Sequence, residues 1–297
     1  MSYPRTQPLP DEFLEPLARA ADRLGLFARQ ILWYADVPST NDLAAALAER
    51  GTPEGCVVVA NAQSAGRGRQ GRSWASPAGA GLYASAVLRP AEHALPLLTI
   101  AAGVAVADGI HAATGLVPDL KWPNDVFVGG RKVAGVLAEA SSNVGAALSN
   151  VGAALLNVGA DLSNAGADLQ VHPRRAIQYV ILGFGINVMP AAYPPEIAAR
   201  ATNLEGELGR SVDRGLLLAE CLCSLAARYQ DLERGRIEAV VKAWRGRAAA
   251  TLGRRVRWNA AGAALEGVGE NIDDMGALVV RTKTGLARLT AGEVTWL

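Results

Sequence analysis

Glycines and arginines alternate in one short stretch, Gly-Arg-Gly-Arg-Gln-Gly-Arg-Ser-Trp at residues 66–74. Glycine gives the backbone access to positive φ and lets a ligand approach closely. The guanidinium groups of Arg67, Arg69 and Arg72 keep their charge and offer paired donors that suit phosphate or carboxylate. Trp74 adds a flat ring on which a base could stack. The pattern predicts a loop that closes on an anion, and a solvated basic turn is the alternative.

The same stretch matches Gly-x-Gly-x-x-Gly, the fingerprint of dinucleotide-binding folds. That fingerprint needs a strand that leads directly into the first glycine and a helix that opens after the last one. Here residues 61–65 separate the strand-like Val57–Ala60 from Gly66, and a Ser-Pro-Gly sequence typical of loops follows Gly71. We therefore predict an ordering loop and not a dinucleotide-binding turn.

A Gly-Gly pair at 129–130 lies between two apolar runs, which is a strong signal for a β-hairpin turn. Centring the turn there pairs Val128 with Arg131 and Phe127 with Lys132. Because side chains alternate along a strand, one face is then shared by Asp125, Phe127, Lys132 and Ala134. The carboxylate and the ammonium group become diagonal neighbours, and no other cation is expected on that face. An ordinary cross-strand ion pair is the structural alternative.

Polar residues gather where a helix is expected to begin, in Pro-Ser-Thr-Asn-Asp at 38–42. Ser39 or Thr40 is a good N-cap for a helix that runs to Arg50. Backbone donors at such a terminus also suit a polar ligand. Helix capping and ligand binding both remain open for these residues.

Bulk properties limit the class of protein. With 297 residues, 50% of them apolar, the chain suits one large domain, or a medium domain and a small one. Its net charge of +1 gives no global attraction to nucleic acid or membranes, so any anion site must be local. The odd count of Cys56, Cys221 and Cys223 favours a reducing compartment and core packing over disulfides or a metal site. No signal peptide and no segment of transmembrane length is expected, which indicates a cytoplasmic protein.

Hydrophobic periodicity predicts the elements that position these residues. The predicted helices cover 11–29, 43–50, 95–114, 214–234 and 236–247, with His111 expected to be structural or solvated. The predicted strands of the main body cover 30–34, 57–60, 81–88 and 178–182, the last closed by Gly-Phe-Gly-Ile-Asn at 183–187, whose glycines allow a close approach. Short strands are predicted near the C-terminus at 254–258, 264–269, 277–281 and 286–289. We therefore divide the chain into residues 1–249 and a small β-barrel-like domain at 250–297.

A tandem repeat of seven residues occupies 143–170. Apolar residues recur there at alternating steps of four and three, as in a heptad. Each copy also carries a glycine, which costs a helix about 1 kcal/mol. The segment is expected to be either a marginal amphipathic helix or a disordered insertion. We interpret it as an expansion in a surface loop and assign it no chemistry.

Together these motifs resemble those of the biotin–protein ligases, the biotin–[acetyl-CoA-carboxylase] ligase family. The resemblance runs from about Ile31 to the carboxy terminus, interrupted by the repeat. It rests on Ser-Thr-Asn at 39–41, Gln63 with Gly-Arg-Gly-Arg-x-Gly-Arg at 66–72, Lys-Trp-Pro-Asn-Asp at 121–125, Arg-Lys-Val-Ala-Gly at 131–135 and Gly-Phe-Gly-Ile-Asn at 183–187. Repressor members of the family add an amino-terminal winged helix, from which this chain departs, so no DNA partner is expected.

The resemblance implies an α/β (α+β) fold with a central mixed β-sheet and flanking helices, similar to class II synthetases, and a small C-terminal SH3-like barrel. It implies that biotin and ATP give biotinyl-5′-AMP and pyrophosphate. The activated carboxyl then passes to a lysine of the biotin carboxyl carrier protein of acetyl-CoA carboxylase. Mg²⁺ would accompany the phosphates, and a homodimer is one alternative for the assembly. Such a transfer needs positioning and charge neutralisation more than covalent help.

The resemblance also implies a role for each motif residue. Those implied to bind biotin are Ser39, Thr40, Asn41, Gln63, Gly66, Arg67, Gly68, Arg69, Lys132, Gly135 and Gly183. Those implied to lie near the nucleotide are Arg69, Arg72, Trp74, Lys121, Asn124, Lys132 and Asn187. Arg69 would close over the intermediate, Lys132 would neutralise the biotin carboxylate and the attacked phosphate, and Asp125 would orient or deprotonate the incoming lysine. No residue is implied as a metal ligand.

Two other functions remain open. A related lipoate or octanoate acyl transferase would have a similar core, but such transferases use a cysteine nucleophile, and none of the three cysteines lies in a motif. A non-catalytic biotin sensor is the second alternative. Binding biotin alone requires no phosphate grip, so Lys132 and the arginine-rich stretch argue against a sensor.

Removing residues 143–169 of the repeat, which joins Ser142 to Gln170, is expected to leave ligation largely intact, because long surface insertions add only slowly to the entropy of loop closure. The measurement is biotinylation of a carrier domain by the deletion variant beside the parent. If the variant folds, as judged by circular dichroism, but loses activity, the insertion contacts the substrate or the partner.

Overall fold

Two sheets form the framework of the protein, which we describe from a computed structural model. The structure describes residues 4–142, 149–150, 177–191, 195–249, 251–260 and 263–297. The first sheet is central and mixed, with helices on both faces, and the second is a separate antiparallel sheet near the C-terminus. This arrangement confirms the predicted fold class.

The described helices and strands follow one another along the chain. The helices are α1 (Asp11–Arg19), α2 (Thr40–Glu49), α3 (Leu98–Thr114), α4 (Pro195–Ala198), α5 (Leu204–Leu208), α6 (Arg214–Glu233) and α7 (Ile237–Arg245). The strands of the central sheet are β1 (Gln30–Tyr34), β2 (Cys56–Ala60), β3 (Gly81–Leu88), β4 (Asp119–Lys121), β5 (Asp125–Val128), β6 (Arg131–Ser142), β7 (Ser149–Asn150) and β8 (Ile177–Asn187). The strands of the second sheet are β9 (Arg255–Ala260), β10 (Ala263–Ile272), β11 (Leu278–Thr282), β12 (Gly285–Leu289) and β13 (Thr295–Trp296).

The central sheet has the order β1-β2-β3-β8-β6-β5-β4, with β7 paired to β6. β1 is parallel to β2, and the other described neighbours are antiparallel. Val57 and Val59 of β2 face a large core that includes α3, α6 and α7. Cys56 and Val58 face a smaller core under α2. Because both faces are covered, β2 and β3 have continuous apolar sequences rather than alternating ones.

The second sheet has the order β12-β11-β10-β9-β13 and is antiparallel throughout. It contains the four strands predicted from the sequence, and β13, with only two residues, was not predicted. The sheet is anchored to the main body by buried hydrogen bonds. Trp122 Nε1 donates to the carbonyl of Gly276 at 2.9 Å, and Thr251 Oγ1 donates to the carbonyl of Leu120 at 3.0 Å. The division of the chain at 249/250 stays a prediction.

Three predicted boundaries were wrong. The first helix ends at Arg19 and not at Arg29, because the chain turns at Gly25, whose φ is +54°, into a 3₁₀ segment at Gly25–Ala28. α3 begins at Leu98, after a 3₁₀ segment at Glu92–Leu97 that contains a proline. β8 continues through the glycine-rich stretch to Asn187 instead of being closed by it.

The segment Glu92–Thr114, which contains α3, has 23 residues and includes an 18-residue window with a mean hydropathy of 1.6. By length and composition it could cross a membrane, so the expectation that no segment reaches that length is wrong. However, 78% of that window is buried inside the protein, as expected for a core helix. His111 on α3 was expected to be structural or solvated. It is exposed, and its ring Nδ1 lies 2.8 Å from the carbonyl oxygen of Leu116, so both descriptions apply.

Within the repeat, the structure describes Ser149–Asn150 alone, as strand β7 beside Glu139 and Ala140 of β6. The two alternatives for the rest of the repeat concern residues outside the described ranges.

α3 and α6 approach each other closely at Gly109. A Cβ atom added there would lie 2.6 Å from Cα and Sγ of Cys221, so the backbone of one helix would have to move. Gly109→Ala is therefore expected to lower the free energy of unfolding by about 1–3 kcal/mol, measured by urea denaturation. Gly103→Ala on the same helix is the matched control, since its Cβ would meet only Leu120 Cδ2, at 3.8 Å. Equal stabilities of the two variants would contradict close packing at Gly109.

Candidate functional site

A cleft with a volume of about 140 Å³ lies where β6 and β8 meet the 66–74 loop and the start of α2. Most of the residues predicted for the site line it. They are Ser39, Thr40, Asn41, Gln63, Arg67, Gly68, Arg69, Arg72, Trp74, Asn124, Asp125, Lys132, Gly135 and Gly183. The predicted residues outside the lining are Gly66, Lys121 and Asn187.

The start of α2 forms the polar end of the cleft. Ser39 caps the helix, since its Oγ accepts a bond from the backbone N–H of Asp42 at 3.4 Å. Gln63 Oε1 accepts a bond from the backbone N–H of Thr40 at 2.8 Å. Ser39, Thr40 and Asn41 are all buried and all line the cleft. Capping and site formation, left open by the sequence, therefore occur together.

Two residues that sequence reasoning missed support this polar end. Ser85 Oγ on β3 lies 2.7 Å from Thr40 Oγ1 and 2.6 Å from Asn41 Oδ1. Asn41 Nδ2 donates to Glu139 Oε2 on β6 at 2.7 Å. A serine inside the apolar strand β3 was a signal that could have been noticed.

Glycines on β8 and β6 allow other groups to lie flat on the sheet. A Cβ at Gly183 would come within 2.0 Å of Asn41 Oδ1, and one at Gly185 within 2.6 Å of Trp74 Nε1. Gly135 lies directly opposite Gly185 in the β6–β8 pair. The close approach predicted from the glycine-rich sequence is confirmed, and it creates the floor of the cleft.

The 66–74 loop is folded back on itself. The backbone N–H of Trp74 donates to the carbonyl of Gly66 at 2.8 Å, and that of Gly68 donates to the carbonyl of Arg72 at 2.7 Å. A short 3₁₀ segment covers Arg69–Gly71, and no α-helix follows it within residues 72–91. Rejection of the dinucleotide-binding fingerprint is therefore confirmed.

Each arginine of the loop has its own partners. Arg67 contacts Asp42 at 2.5 Å and Glu139 at 3.0 Å. Arg69 donates to Asn124 Oδ1 at 3.1 Å, and Arg72 lies 2.6 Å from a Glu293 oxygen. These partners offset the mutual repulsion of three guanidinium groups that lie close together in the chain. Closure of the loop on an anion stays a prediction.

The hairpin has the predicted register next to the turn, where Val128 pairs with Arg131 and Phe127 with Lys132. Lys132 Nζ lies 2.6 Å from Asp125 Oδ1, so the predicted convergence is confirmed. The placement of Ala134 on the same face was wrong. A bulge after Lys132 shifts the register, so Ala134 lies opposite a different residue, Val126, and both are buried in the core.

The expectation that no other cation lies on this face was also wrong. Lys121 is the direct partner of Asp125 in the β4–β5 pair. Its Nζ lies 4.9 Å from the Trp296 ring centroid and 5.7 Å from that of Phe127. Burial lowers the pKa of Lys121, against the opposing attraction of Asp125 and Glu293.

Asn187 lies behind the cleft wall. Its side-chain Nδ2 donates to the carbonyl of Thr202 at 3.0 Å, and the N–H of Thr202 donates to the carbonyl of Lys132 at 2.8 Å. Asn187 therefore supports the strand that carries Lys132. Gly66 also lies outside the lining, but a Cβ there would come within 2.5 Å of the Trp74 carbonyl oxygen.

Other lining residues were not assigned from the sequence. They include Trp122, Pro123, Val136, Leu137, Phe184 and Glu293. Glu293 comes from the C-terminal sheet, between β12 and β13. Burial alone would raise the pKa of Glu293, but Arg72, Lys121 and Lys132 hold it below the usual value. The sequence could not indicate that Glu293 reaches the 66–74 loop, because its partner Arg72 lies 221 residues earlier in the chain.

The cysteines offer no nucleophile to the cleft. All three are buried and free, and none lines the cleft. Burial raises the pKa of Cys56 to about 11 and also raises the pKa values of Cys221 and Cys223. Within the described residues no group of three or more His, Cys, Asp or Glu side chains could hold a metal.

Several known proteins are similar to this chain in sequence and in structure. The sequence profile of the biotin/lipoate A/B protein ligase family matches residues 33–154. The biotin–[acetyl-CoA-carboxylase] ligase of Paracoccus denitrificans is 36% identical over 80% of this chain and 88% of its own length. The corresponding ligase of Mycobacterium tuberculosis (strain ATCC 25618 / H37Rv) is 31% identical over 91% of this chain and 90% of its own. A biotin protein ligase structure from Aquifex aeolicus, in complex with biotin and ATP, aligns with a TM-score of 0.70 at 26% identity, covering 91% and 99% of the two chains.

Proposed function

The chain belongs to the biotin/lipoate A/B protein ligase family, and we propose from this premise which of its residues carry the reaction. It is an ATP-dependent ligase that activates biotin as biotinyl-5′-AMP and transfers it to a carboxylase. One observation supports the assignment of the site most strongly. Lys132, Arg69 and Arg72 line one end of the cleft. The other end, called the neutral end, is lined by Ser39, Thr40, Asn41 and Gln63, and the charge of Arg67 there is paired with Asp42 and Glu139.

The neutral end is proposed to bind the ureido ring of biotin. Ser39, Thr40, Asn41 and Gln63 supply the polar groups there, and Val136, Leu137 and Phe184 supply apolar surface for the rest of the molecule. Such a mixture of apolar wall and a few buried polar groups is typical of small-molecule sites. Gly66, Gly68, Gly135 and Gly183 contribute by leaving room, and the biotin carboxylate would then reach the cationic end.

At the cationic end we propose that an oxygen of the biotin carboxylate attacks the α-phosphorus of ATP. An O–P bond forms, the bond to pyrophosphate breaks, and pyrophosphate leaves. Lys132 neutralises the carboxylate and the attacked phosphate, Arg69 covers the intermediate, and Arg72 and Asn124 lie beside the nucleotide. Charged groups that are already in place at the reacting centre lower the activation barrier, because they do not have to reorient during the reaction. Trp74 is proposed to stack on the nucleotide. Lys121 and Asn187 do not line the cleft and are proposed to act through the residues that do.

In the second step the amine of the acceptor lysine attacks the carboxyl carbon of the mixed anhydride. An amide bond forms, AMP leaves, and the amine loses a proton. We assign orientation and deprotonation of this amine to Asp125, which is 17% exposed and within 2.6 Å of Lys132. Because Lys132 turns toward the phosphates when they bind, Asp125 becomes available for the amine.

The partner and the setting are also proposals. The acceptor is the biotin carboxyl carrier protein of acetyl-CoA carboxylase. Mg²⁺ would be held mainly by the phosphates of ATP and by water, with Asp125 and Glu293 as the carboxylates of the lining, and it would supply neutralisation of part of the phosphate charge. The buried free cysteines favour the cytoplasm. A net charge of +1 gives no reason to propose DNA or a membrane as a partner, and the homodimer stays a prediction.

The two alternatives are less well supported. An acyl transferase with a cysteine nucleophile would need a thiolate in the cleft, but the cysteines lie elsewhere and burial raises their pKa values. A non-catalytic sensor would bind biotin alone, so it would not need the cations at the cationic end of the cleft. The direct test is to incubate the purified protein with biotin, ATP, Mg²⁺ and a carrier domain. Biotinylation that requires ATP is the expected result.

Replacing Lys132 with Met is expected to slow adenylate formation by at least about a hundredfold, since a fixed donor at developing charge contributes that much. Lys121 does not substitute for it, because its ammonium group lies against the rings of Phe127 and Trp296. Pyrophosphate release in the presence of biotin and ATP is the measurement. Arg131→Met is the matched control, because the neighbouring Arg131 pairs with Glu207 on the surface. Near-parental release by Lys132→Met would show that the assigned role is wrong.

Arg69→Gly is expected to form the adenylate but to release it. Arg69 is the loop residue that reaches Asn124 across the cleft. Binding of an anion in the cleft should order the loop over that anion. Without this cover, water and bystander proteins reach the mixed anhydride. Free biotinyl-AMP and off-target biotinylation are measured beside the parent and Arg131→Met. If Arg69→Gly holds its intermediate as tightly as the parent, the loop is a static phosphate site and not a lid.

A further inference from the structure

Glu139 lies on β6 beside the neutral end of the cleft and contacts two of the residues proposed to bind biotin. Its Oε2 accepts a bond from Asn41 Nδ2 at 2.7 Å and another from the Arg67 guanidinium at 3.0 Å. Its Oε1 lies 3.3 Å from the same guanidinium nitrogen. Glu139 itself does not line the cleft. Any effect of this carboxylate on a ligand must therefore pass through Asn41 and Arg67.

Arg67 has a second acidic partner, but Glu139 is the more buried of the two. The Asp42 carboxylate lies 2.5 Å from the guanidinium on a side chain that is 47% exposed, whereas the Glu139 side chain is 14% exposed. An ion pair contributes little when water surrounds it. Burial alone would lower the pKa of Arg67, but the attraction of Glu139, and after it that of Asp42, raises this pKa above its usual value. Glu139 is therefore the partner that fixes the Arg67 side chain.

Arg67 belongs to the base of the 66–74 loop, where the two arms of the loop pair with each other. Arg67 and Ser73 form an antiparallel bridge there, and backbone hydrogen bonds between the arms flank that bridge on both sides. A side chain that is held at this base positions both arms at once. Glu139 thus joins the base of the loop to β6, which forms part of the cleft floor.

The Asn41 amide is buried and is held from both of its ends. Its Oδ1 lies 2.6 Å from Ser85 Oγ, above the backbone of Gly183. Its Nδ2 donates to Glu139. A buried N–H group without an acceptor is unfavourable, so without Glu139 the amide would turn toward another acceptor. Glu139 therefore determines how Asn41 faces the cleft.

We propose that Glu139 is a positioning residue for biotin, because one carboxylate holds both Asn41 and Arg67 in place before the ligand binds. This inference rests on the proposed placement of the ureido ring at the neutral end of the cleft. Groups that are already ordered lose less conformational freedom on binding, so they bind a ligand more tightly. At the cationic end Lys132 and Arg72 have other acidic partners. Glu139 is therefore expected to affect the binding of biotin and not that of ATP.

Glu139→Gln tests the inference, because glutamine can still accept a bond from Asn41 but cannot neutralise the charge of Arg67. A hydrogen bond to a charged group contributes about a factor of ten or more to an equilibrium constant. The variant is therefore expected to bind biotin about tenfold more weakly, measured by calorimetry without ATP. The KM for ATP in pyrophosphate release should stay at the parental value.

Arg67→Met, alone and combined with Glu139→Gln, shows whether Glu139 acts through Arg67. If it does, Glu139→Gln weakens biotin binding in the parent but causes no further loss in Arg67→Met, whereas independent effects would multiply. Asp108→Asn is the matched control. Asp108 also pairs with two arginines, Arg228 and Arg247, but none of the three lines the cleft, so this variant should bind biotin as the parent does.

Glu139→Asp is the conservative variant, because it keeps the charge on a shorter side chain. It should bind biotin more weakly than the parent by a smaller factor, and it keeps the test available if Glu139→Gln does not fold, as judged by circular dichroism. Parental affinity for biotin in either folded variant, an equal rise in the KM for ATP, or an effect that multiplies with that of Arg67→Met would overturn the inference. If the parent itself neither binds biotin nor releases pyrophosphate, the proposed function fails, and the inference fails with it.

Discussion

The bare patch on the central sheet is the constraint on which the cleft depends. Side chains normally stand perpendicular to a sheet and would fill this space. Here Gly135 and Gly185 face each other across β6 and β8, and Gly183 lies two residues along on the same strand. The Asn41 amide and the Trp74 ring therefore lie directly on the backbone. Any larger side chain would push out the polar end or the loop, so both ends of the site depend on the same glycines.

Two cations of the site are paired with carboxylates. Arg72 lies beside Glu293 and Lys132 lies beside Asp125, whereas Arg69 contacts the neutral Asn124. The Arg72 side chain is 64% exposed, and exposed pairs contribute little, about 0–1 kcal/mol, so phosphate can replace Glu293 at small cost. The Lys132 side chain is 31% exposed and that of Asp125 is 17% exposed. Exchange of that pair is more costly, and in the proposed mechanism it couples binding of the phosphates to release of the Asp125 carboxylate.

The parts of the site that the sequence predicted are local. The hairpin around the Gly-Gly turn, the cap at Ser39 and the loop at 66–74 each follow from residues that are close in the chain. The errors arise where the effect is not local. Alternation cannot foresee the bulge that moves Ala134 into the core. Glu293 reaches the cleft only because a second sheet packs against the first, and a single serine in a buried strand gives no indication of what it contacts.

The C-terminal sheet is part of the site because it contacts the Lys-Trp-Pro-Asn-Asp motif at several points. Trp122 is almost fully buried and donates to Gly276, while Trp296 packs against Phe127 with ring centroids 4.7 Å apart. The first contact is a buried hydrogen bond and the second is a contact between rings, and the Lys121 ammonium group lies against the same two rings. Glu293, carried on the same sheet, then meets Arg72 of the loop. Any movement of Arg72 away from this position would therefore break a contact with the C-terminal part of the chain, and residues from both parts of the chain line one cleft.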